Sequence, residues 1–373
     1  MDANPEALPV VVEAGSVTAL RLFEVANEID LRRAETLWRD QARPPGTRPR
    51  LTGTPAKAMA FGVPPLELAL PPVSLALEDG PATAAVVARV YDFGVVSLAL
   101  RLRAEGPWAA FVARANHLGR AAEAPEAPWA GLLAQIRAAI GPALSRPVGL
   151  AVEEDYLLAI VERFAQPLSA AALQARVDLA ELLSGEAGPL AEATRAEFLR
   201  ARFSYFPNDL VALTWDRALI VEPRGDTDVA DVLEVANAQL LEMRYYDELL
   251  DAELPRMYDL VASTRGARNW LGARPYARLA RRLYTLVAEV TELTEKVDNA
   301  LQVTEDVYLA RVYAAALDLF RVPRLSAAVD RKLAIIRETY TALYDEATGR
   351  RSEVLEVAIV LLIMFEIALA LWR

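Results

Sequence analysis

The side chains best placed to do chemistry lie on one stretch, DVLEVANAQLLEMRYYDELLD at 231–251. Asp247 and Asp251 stand four apart, so on a helix they share a face and offer two carboxylates to a hard divalent cation. Around them Asn237, Gln239, Glu242, Arg244, Tyr245, Tyr246 and Glu248 make the densest polar cluster of the chain. Arg244 and Glu248 have the spacing of an i, i+4 ion pair, so the same pattern also describes a solvated face laced by salt bridges. A second polar set, Glu295, Asn299, Glu305, Asp306, Tyr308 and Arg311, would complete a layer across a helical stalk. These residues are candidates for a metal or ligand site, or for a surface that meets a protein partner.

Few other reactions have residues to carry them. The 373-residue chain has no cysteine, which removes disulfides, thiolate metal sites and a cysteine nucleophile. Its single histidine, His117, is the one imidazole base on offer, and its apolar neighbours suit packing as well as catalysis. No Gly-rich phosphate loop of the Walker or dinucleotide type occurs, so no cofactor is assigned and no residue is named catalytic. Residues 1–150 balance 15 basic against 15 acidic side chains, so the whole net charge of −11 lies in 151–373. An acidic body repels a phosphate backbone, which disfavours non-specific nucleic-acid binding.

The elements that position these groups follow from periodicity. Val17–Val25 reads as a strand and 30–40 as a helix capped by Asp30. A Pro-rich, weakly basic arm, Gln41 to Pro65, carries Arg43, Arg48, Arg50 and Lys57. Two strands, 84–91 and 95–102, pair around Asp92-Phe93-Gly94, and a helix covers 107–118. The same order returns with a strand at 155–164, a helix at 169–183 and a hairpin around Trp215-Asp216-Arg217. FVARANHL at 111–118 echoes VLEVANAQL at 232–240, Asn116 against Asn237, so the spacing predicts a duplicated strand-helix-hairpin-helix head. From Asp228 the pattern is helical. A heptad seam from Leu279 to Val307 and an amphipathic helix from Leu325 to Ala347, stopped by Gly349, predict an antiparallel coiled-coil stalk.

The final residues, RSEVLEVAIVLLIMFEIALALWR, are apolar from Val354 to Trp372, long enough as a helix for a bilayer span. Arg350 and Arg351 precede this stretch and only Arg373 follows, so the positive-inside rule keeps the body cytoplasmic. Glu356 would sit at headgroup depth, and Glu366, inside the span, would face other anchors in a homo-oligomer. The acidic N-terminal sequence lacks the basic start of a secretory signal or a presequence.

LTWDRALIVEPRG at 213–225, the 231–251 stretch, VDNALQVTEDVYLARVY at 297–313 and the terminal apolar run together resemble the YagE family, also called the required-for-meiotic-nuclear-division family. That resemblance implies a C-terminal membrane segment, oligomerisation and, in mitochondrial members, support of organellar translation; it supplies no catalytic residues. The chain looks like a bacterial member.

The expectation is an α+β protein with three parts. A head occupies 1–226, with repeats 1–150 and 151–226; a helical stalk covers 227–350 and a transmembrane anchor 351–373. Its expected role is a non-catalytic, homo-oligomeric scaffold or adaptor in the bacterial inner membrane, meeting a cytoplasmic protein partner. One alternative is a metal- or ligand-dependent enzyme or sensor that uses the acidic helix face. The other is a translation- or RNA-associated membrane factor.

Overall fold

The computed structural model describes residues 9–41, 43–49, 59–149, 152–186, 188–266, 273–299, 301–303 and 308–372. The strands run in chain order as Val11–Glu24 (β1), Ala26–Ile29 (β2), Met59–Phe61 (β3), Leu66–Leu77 (β4), Gly80–Val90 (β5), Val95–Arg103 (β6) and Gly106–Pro107 (β7). They continue as Leu144–Pro147 (β8), Glu153–Phe164 (β9), Ala201–Phe203 (β10), Leu210–Leu213 (β11), Arg217–Val221 (β12) and Leu301–Val303 (β13). The helices are Leu31–Asp40 (α1), Trp108–Glu123 (α2), Trp129–Ile140 (α3), Ala170–Arg176 (α4), Leu179–Ser184 (α5) and Glu192–Phe198 (α6). Four more follow: Asp228–Gly266 (α7), Ala273–Asp298 (α8), Tyr308–Leu319 (α9) and Val322–Leu371 (α10). They divide between two compact units, Met1–Glu242 with Lys296–Pro323, and Met243–Glu295 with Arg324–Arg373.

The first unit is built on a nine-stranded mixed sheet of order β10-β11-β12-β9-β1-β6-β5-β4, with β7 paired to β1. Period-two alternation sorts β1 into two faces. Val17, Ala19 and Phe23 join the main core, whereas Thr18, Leu20, Leu22 and Glu24 point the other way and are also buried. A central strand covered on both sides must be apolar or paired at almost every position, and β1 is. The first face packs on α1, α2, α3 and α5 through Trp38, Phe111, Leu118, Ile136 and Leu183, each almost wholly buried. Each such side chain contributes roughly 1.5–3 kcal/mol. The second face is covered by the first turns of α7 and by α9, where the ring of Phe320 meets Tyr156 edge-on at 5.4 Å.

Local chemistry sets the boundaries. Asp30 Oδ1 accepts from the backbone N–H of Arg32 and Arg33, both at 3.0 Å, and starts α1 where a capping Asp was expected. Gly94 closes the β5–β6 hairpin at φ +108, and a Cβ there would lie 1.8 Å from the Ala26 carbonyl oxygen, so only glycine fits. The helix expected over 169–183 is two helices, α4 and α5, because Asp178 restarts the chain by accepting from Ala180 N at 3.0 Å.

Three expectations are corrected. First, the duplicated head is one mixed sheet. Strand order is mirrored about β1 and β9, yet β6 runs antiparallel to β1 while β12 runs parallel to β9. A repeat conserves strand sense, since reversing a strand changes its whole hydrogen-bond pattern. Asn116 and Asn237 also do different jobs: Asn116 Oδ1 accepts from Arg217 Nη1 at 2.6 Å, and Asn237 Nδ2 donates to the Leu233 carbonyl at 2.9 Å. Second, the heptad seam ends with α8 at Asp298, because Leu301–Val303 is a strand paired with β3. Leu283 and Val290 are its buried members; Leu279, Leu293, Val297, Thr304 and Val307 lie outside the described side chains.

Third, the membrane anchor and the inner-membrane location are withdrawn. Among the described residues no helix is long and apolar enough to cross a membrane. Gly349 does not stop the preceding helix, so the apolar residues are the last turns of the continuous 50-residue α10 and not a separate segment. The exposed large apolar side chains described there are Ile359 to Met364, Ile367 and Trp372, with Glu356 exposed before them. A span needs about 20 consecutive apolar residues.

The second unit comprises the later turns of α7, most of α8 and α10. Val329, Leu333 and Ile336 form the buried stripe of α10 at helical spacing. Arg256 and Arg282 both reach Glu253, at 2.6 and 3.1 Å.

Back in the first unit, Glu24 on β1 faces Glu242 on α7 in the interior, both carboxyls being almost inaccessible to water. Burial, then the adjacent Glu242 charge, pushes the Glu24 carboxyl well above its usual range. The folded state therefore keeps this proton at pH values where the unfolded chain releases it, and stability is lost as pH rises from the ordinary carboxyl range toward the raised value. Glu24→Gln, neutral at every pH, should raise the melting temperature at pH 8 and leave it nearly unchanged at pH 4; equal shifts at both would show that Glu24 is not protonated in the fold.

Candidate functional site

The second face of the sheet is covered only in part, and the uncovered part is a cavity of about 470 Å³. Its floor is the outward register of five adjacent strands, Leu158 coming from β9. Thr18 and Leu20 come from β1, Ser97, Ala99 and Arg101 from β6, Ala85, Val87 and Arg89 from β5, and Glu67 from β4. One wall is the start of α7, with Thr227, Ala230, Asp231 and Glu234; the other is Thr47-Arg48-Pro49. That second wall belongs to the Pro-rich arm, tied down by reciprocal backbone bonds between Thr47 and Glu67 at 2.8 and 2.9 Å. Lys57 and Arg50 of the arm lie outside the described residues.

Arg89 organises the acidic end. Its Nη1 donates to Asp231 at 2.7 Å and to Glu234 at 2.9 Å, and its Nε to Glu67 at 3.1 Å. Burial works to strip the guanidinium of its proton but is outweighed by Glu234 and Asp231, which hold it firmly charged. Tyr91, one step further along the same face, donates its hydroxyl to Glu234 at 3.2 Å. Burial raises the pKa of both Glu234 and Tyr91 above their usual ranges.

The opposite end is basic. Arg101 is solvent-exposed at the cavity edge, where its Nε donates to the Thr18 hydroxyl at 3.4 Å; no carboxylate lies within ion-pair distance among the described residues. Arg48 stands at the other end, on the arm beside Glu67, and shares its charge with Glu35, donating Nη2 to it at 3.3 Å and Nη1 to the Pro64 carbonyl at 3.0 Å. Register places Arg101 opposite Ala85 and Arg89 opposite Ser97, so the two guanidinium-bearing positions are four residues apart along the strands. At about 3.4 Å per residue their backbones are separated by roughly 13 Å. Hydroxyls of Thr18, Thr47 and Thr227 lie between and around them.

Such a cavity can hold and orient a polar molecule. It has no imidazole: His117 is on α2, with Nδ1 3.3 Å from Asp79 and Nε2 3.4 Å from Glu78 at the β4–β5 turn, where Arg114 and Arg120 pair with the same acids. Among the described residues, the carboxylates nearest the cavity hydroxyls are engaged by Arg89, and Asp231 also accepts from the Thr227 hydroxyl at 3.3 Å.

The residues singled out from sequence are not gathered into this site. Asp247 and Asp251 do share a helix face, and Lys332 Nζ sits between them, 2.6 Å from each. The position a divalent cation would take is filled by the chain's own ammonium, whose pKa those two acids raise against the opposing effect of burial. Among the described residues no three His, Cys, Asp or Glu side chains converge as metal ligands. Glu242 is buried against Glu24, and Asn237 is bonded within its own helix. Arg244 is half-buried and the ring of Tyr245 lies 5.4 Å from that of Tyr246. Asn299 and Arg311 are exposed. Tyr308 is half-buried 5.7 Å from the ring of Tyr205, and burial lifts its hydroxyl pKa. Glu305 and Asp306 lie outside the described residues, as does the Glu366 side chain, and Glu356 is exposed.

Arg89, Glu67, Asp231, Glu234 and Arg101 were missed. A signal existed for Arg89, Asp231 and Glu234. Arg89 interrupts the apolar run AAVVARVY, and Asp231 and Glu234 sit three apart on the otherwise apolar stripe that leads into the cluster chosen from sequence. A charged residue inside a two-sided buried strand must find a partner, and acids on a buried helix face are the partners available.

A family model described as "Uncharacterized protein MJ0711, N-terminal domain" matches residues 14–227. This range carries the nine-stranded sheet, save the first residues of β1, and most of the cavity lining. Uncharacterized protein MJ0711 of Methanocaldococcus jannaschii is 27% identical over 194 residues, covering 52% of this chain and 58% of that protein. The chain thus spans less than two thirds of the relative it matches. No solved structure matches. The YagE resemblance is withdrawn: of the four segments behind it, three lie wholly beyond the matched range, on Ala- and Leu-rich helices and their flanks whose likeness is largely compositional. The match over residues 14–227, more than half of the chain, shows that the chain belongs to the family of the MJ0711 N-terminal domain.

Proposed function

We propose that this chain is a non-catalytic binding protein that holds a small polar ligand in the cavity on the second face of its sheet. The observation that carries this reading is the cavity itself. About 470 Å³ of space is walled by side chains of opposite charge at its two ends, within the size range of small-molecule sites. A solvated surface would not need Arg89 buried among three acids beside an open basic end. Binding also accords with the hydroxyl lining, which offers orientation without an activated nucleophile.

A second reading, self-association as a scaffold, is favoured by the row of exposed apolar side chains from Ile359 to Met364 with Ile367. Contiguous exposed apolar surface of this kind marks contact sites.

Native mass spectrometry after incubation with a small-molecule extract tests the first reading. The wild type should carry an adduct that denaturation releases, and Ala99→Trp, which fills the cavity floor, should not; no adduct on either would end the proposal. Sedimentation tests the second: Leu362→Glu should lower the association state, and a wild type that stays monomeric at tens of micromolar would remove self-association.

A further inference from the structure

The charge arrangement in the cavity narrows the ligand class. Three carboxylates, Glu67, Asp231 and Glu234, surround the single guanidinium of Arg89. Even with one of them protonated, this end keeps a surplus negative charge that the protein leaves uncompensated beside open space. At the other end Arg101 keeps a positive charge that meets a neutral hydroxyl, Thr18, 3.4 Å away. The two ends are fixed by adjacent strands of one sheet, and the side chains shorten the roughly 13 Å between their backbones.

A simple anion would satisfy Arg101 and meet repulsion from the acidic end. A simple cation would do the reverse. A molecule with an anionic and a cationic group satisfies both, and at the largely buried acidic end a lower local dielectric strengthens the contact. Resting on the binding reading above, we infer that the cavity takes a zwitterion: a carboxylate or comparable oxyanion seated on Arg101 and the Thr18 hydroxyl, and an ammonium or guanidinium group at Glu67 and Asp231, joined by a chain of several carbons across Ala99 and Val87.

The test is a thermal-shift and calorimetric panel on the full chain using 4-aminobutyrate, 6-aminohexanoate and 8-aminooctanoate, with hexanoate and hexylamine as single-charge controls. At least one amino acid of the series should raise the melting temperature by several degrees at saturation, and neither control should. Arg101→Gln should weaken that binding about tenfold or more, as expected for loss of a charge-assisted hydrogen bond. Arg101→Glu, an exposed position that leaves the core intact, should shift preference to 1,6-diaminohexane. Equal binding of hexanoate, or of hexylamine, overturns the zwitterion inference. So does silence across the whole panel from protein that carries an extract adduct at this cavity, a result that leaves the binding reading standing. Silence across the panel together with no adduct overturns both.

Discussion

Arg89 holds carboxylates from two elements at once: Glu67 from the neighbouring strand, and Asp231 and Glu234 from α7. The attachment of α7 to the second face depends on this sharing. An arginine in the middle of a sheet is costly unless its donors are met, and acids on a helix facing a sheet are costly unless a cation meets them. Each group makes the burial of the others tolerable. Removing one partner of such a set typically costs about 3–5 kcal/mol, because the remaining charges are stranded. Hydrophobic packing alone would allow α7 to slide along the apolar floor made by Leu20, Leu22 and Leu158. The directional bonds at 2.7–3.1 Å fix where it stops.

That stopping point leaves a space. α7 begins at Asp228, over the middle of the sheet, so it cannot cover the far parts of β4, β5 and β6. The arm around Thr47 and Arg48 closes the other side through its bridge to Glu67. Glu67 therefore belongs to both walls: its backbone holds the arm and its side chain holds Arg89. The cavity is a consequence of how the helix is pinned and how the arm is anchored, and its charge pattern comes from the groups that do the pinning.

Further along α7 the same economy of charge appears in two other forms. Glu242 and Glu24 are buried facing one another, and burial with the neighbouring charge pushes the Glu24 carboxyl well above its usual range. Asp247 and Asp251 are bridged by Lys332. One helix thus meets its acids in three ways: with a shared arginine, with a raised carboxyl pKa and with a shared lysine. The i, i+4 acids that invite a metal in sequence are the ones for which the chain supplies its own cation.

Much of the local structure was legible in the residues. Alternation marked the cores of β1, β5, β6 and β9, Asp30 marked the start of α1, and Asp92-Phe93-Gly94 marked the hairpin, because these are decided by neighbours a few positions away. The chain also announced that its chemistry would come from Arg, Asp, Glu and hydroxyls, having no cysteine and one histidine. What tertiary structure alone decided was pairing over distance. The parallel sense of β12 beside β9, the meeting of Arg89 with residues more than 140 positions away, and the capture of Asp247 by a lysine 85 positions on depend on strand order and helix placement, which no local pattern encodes. The terminal apolar run showed the same limit: residue types fix how a segment would fare in lipid, but where a helix starts and what it continues are settled by its neighbours, and here it continues α10 through Gly349.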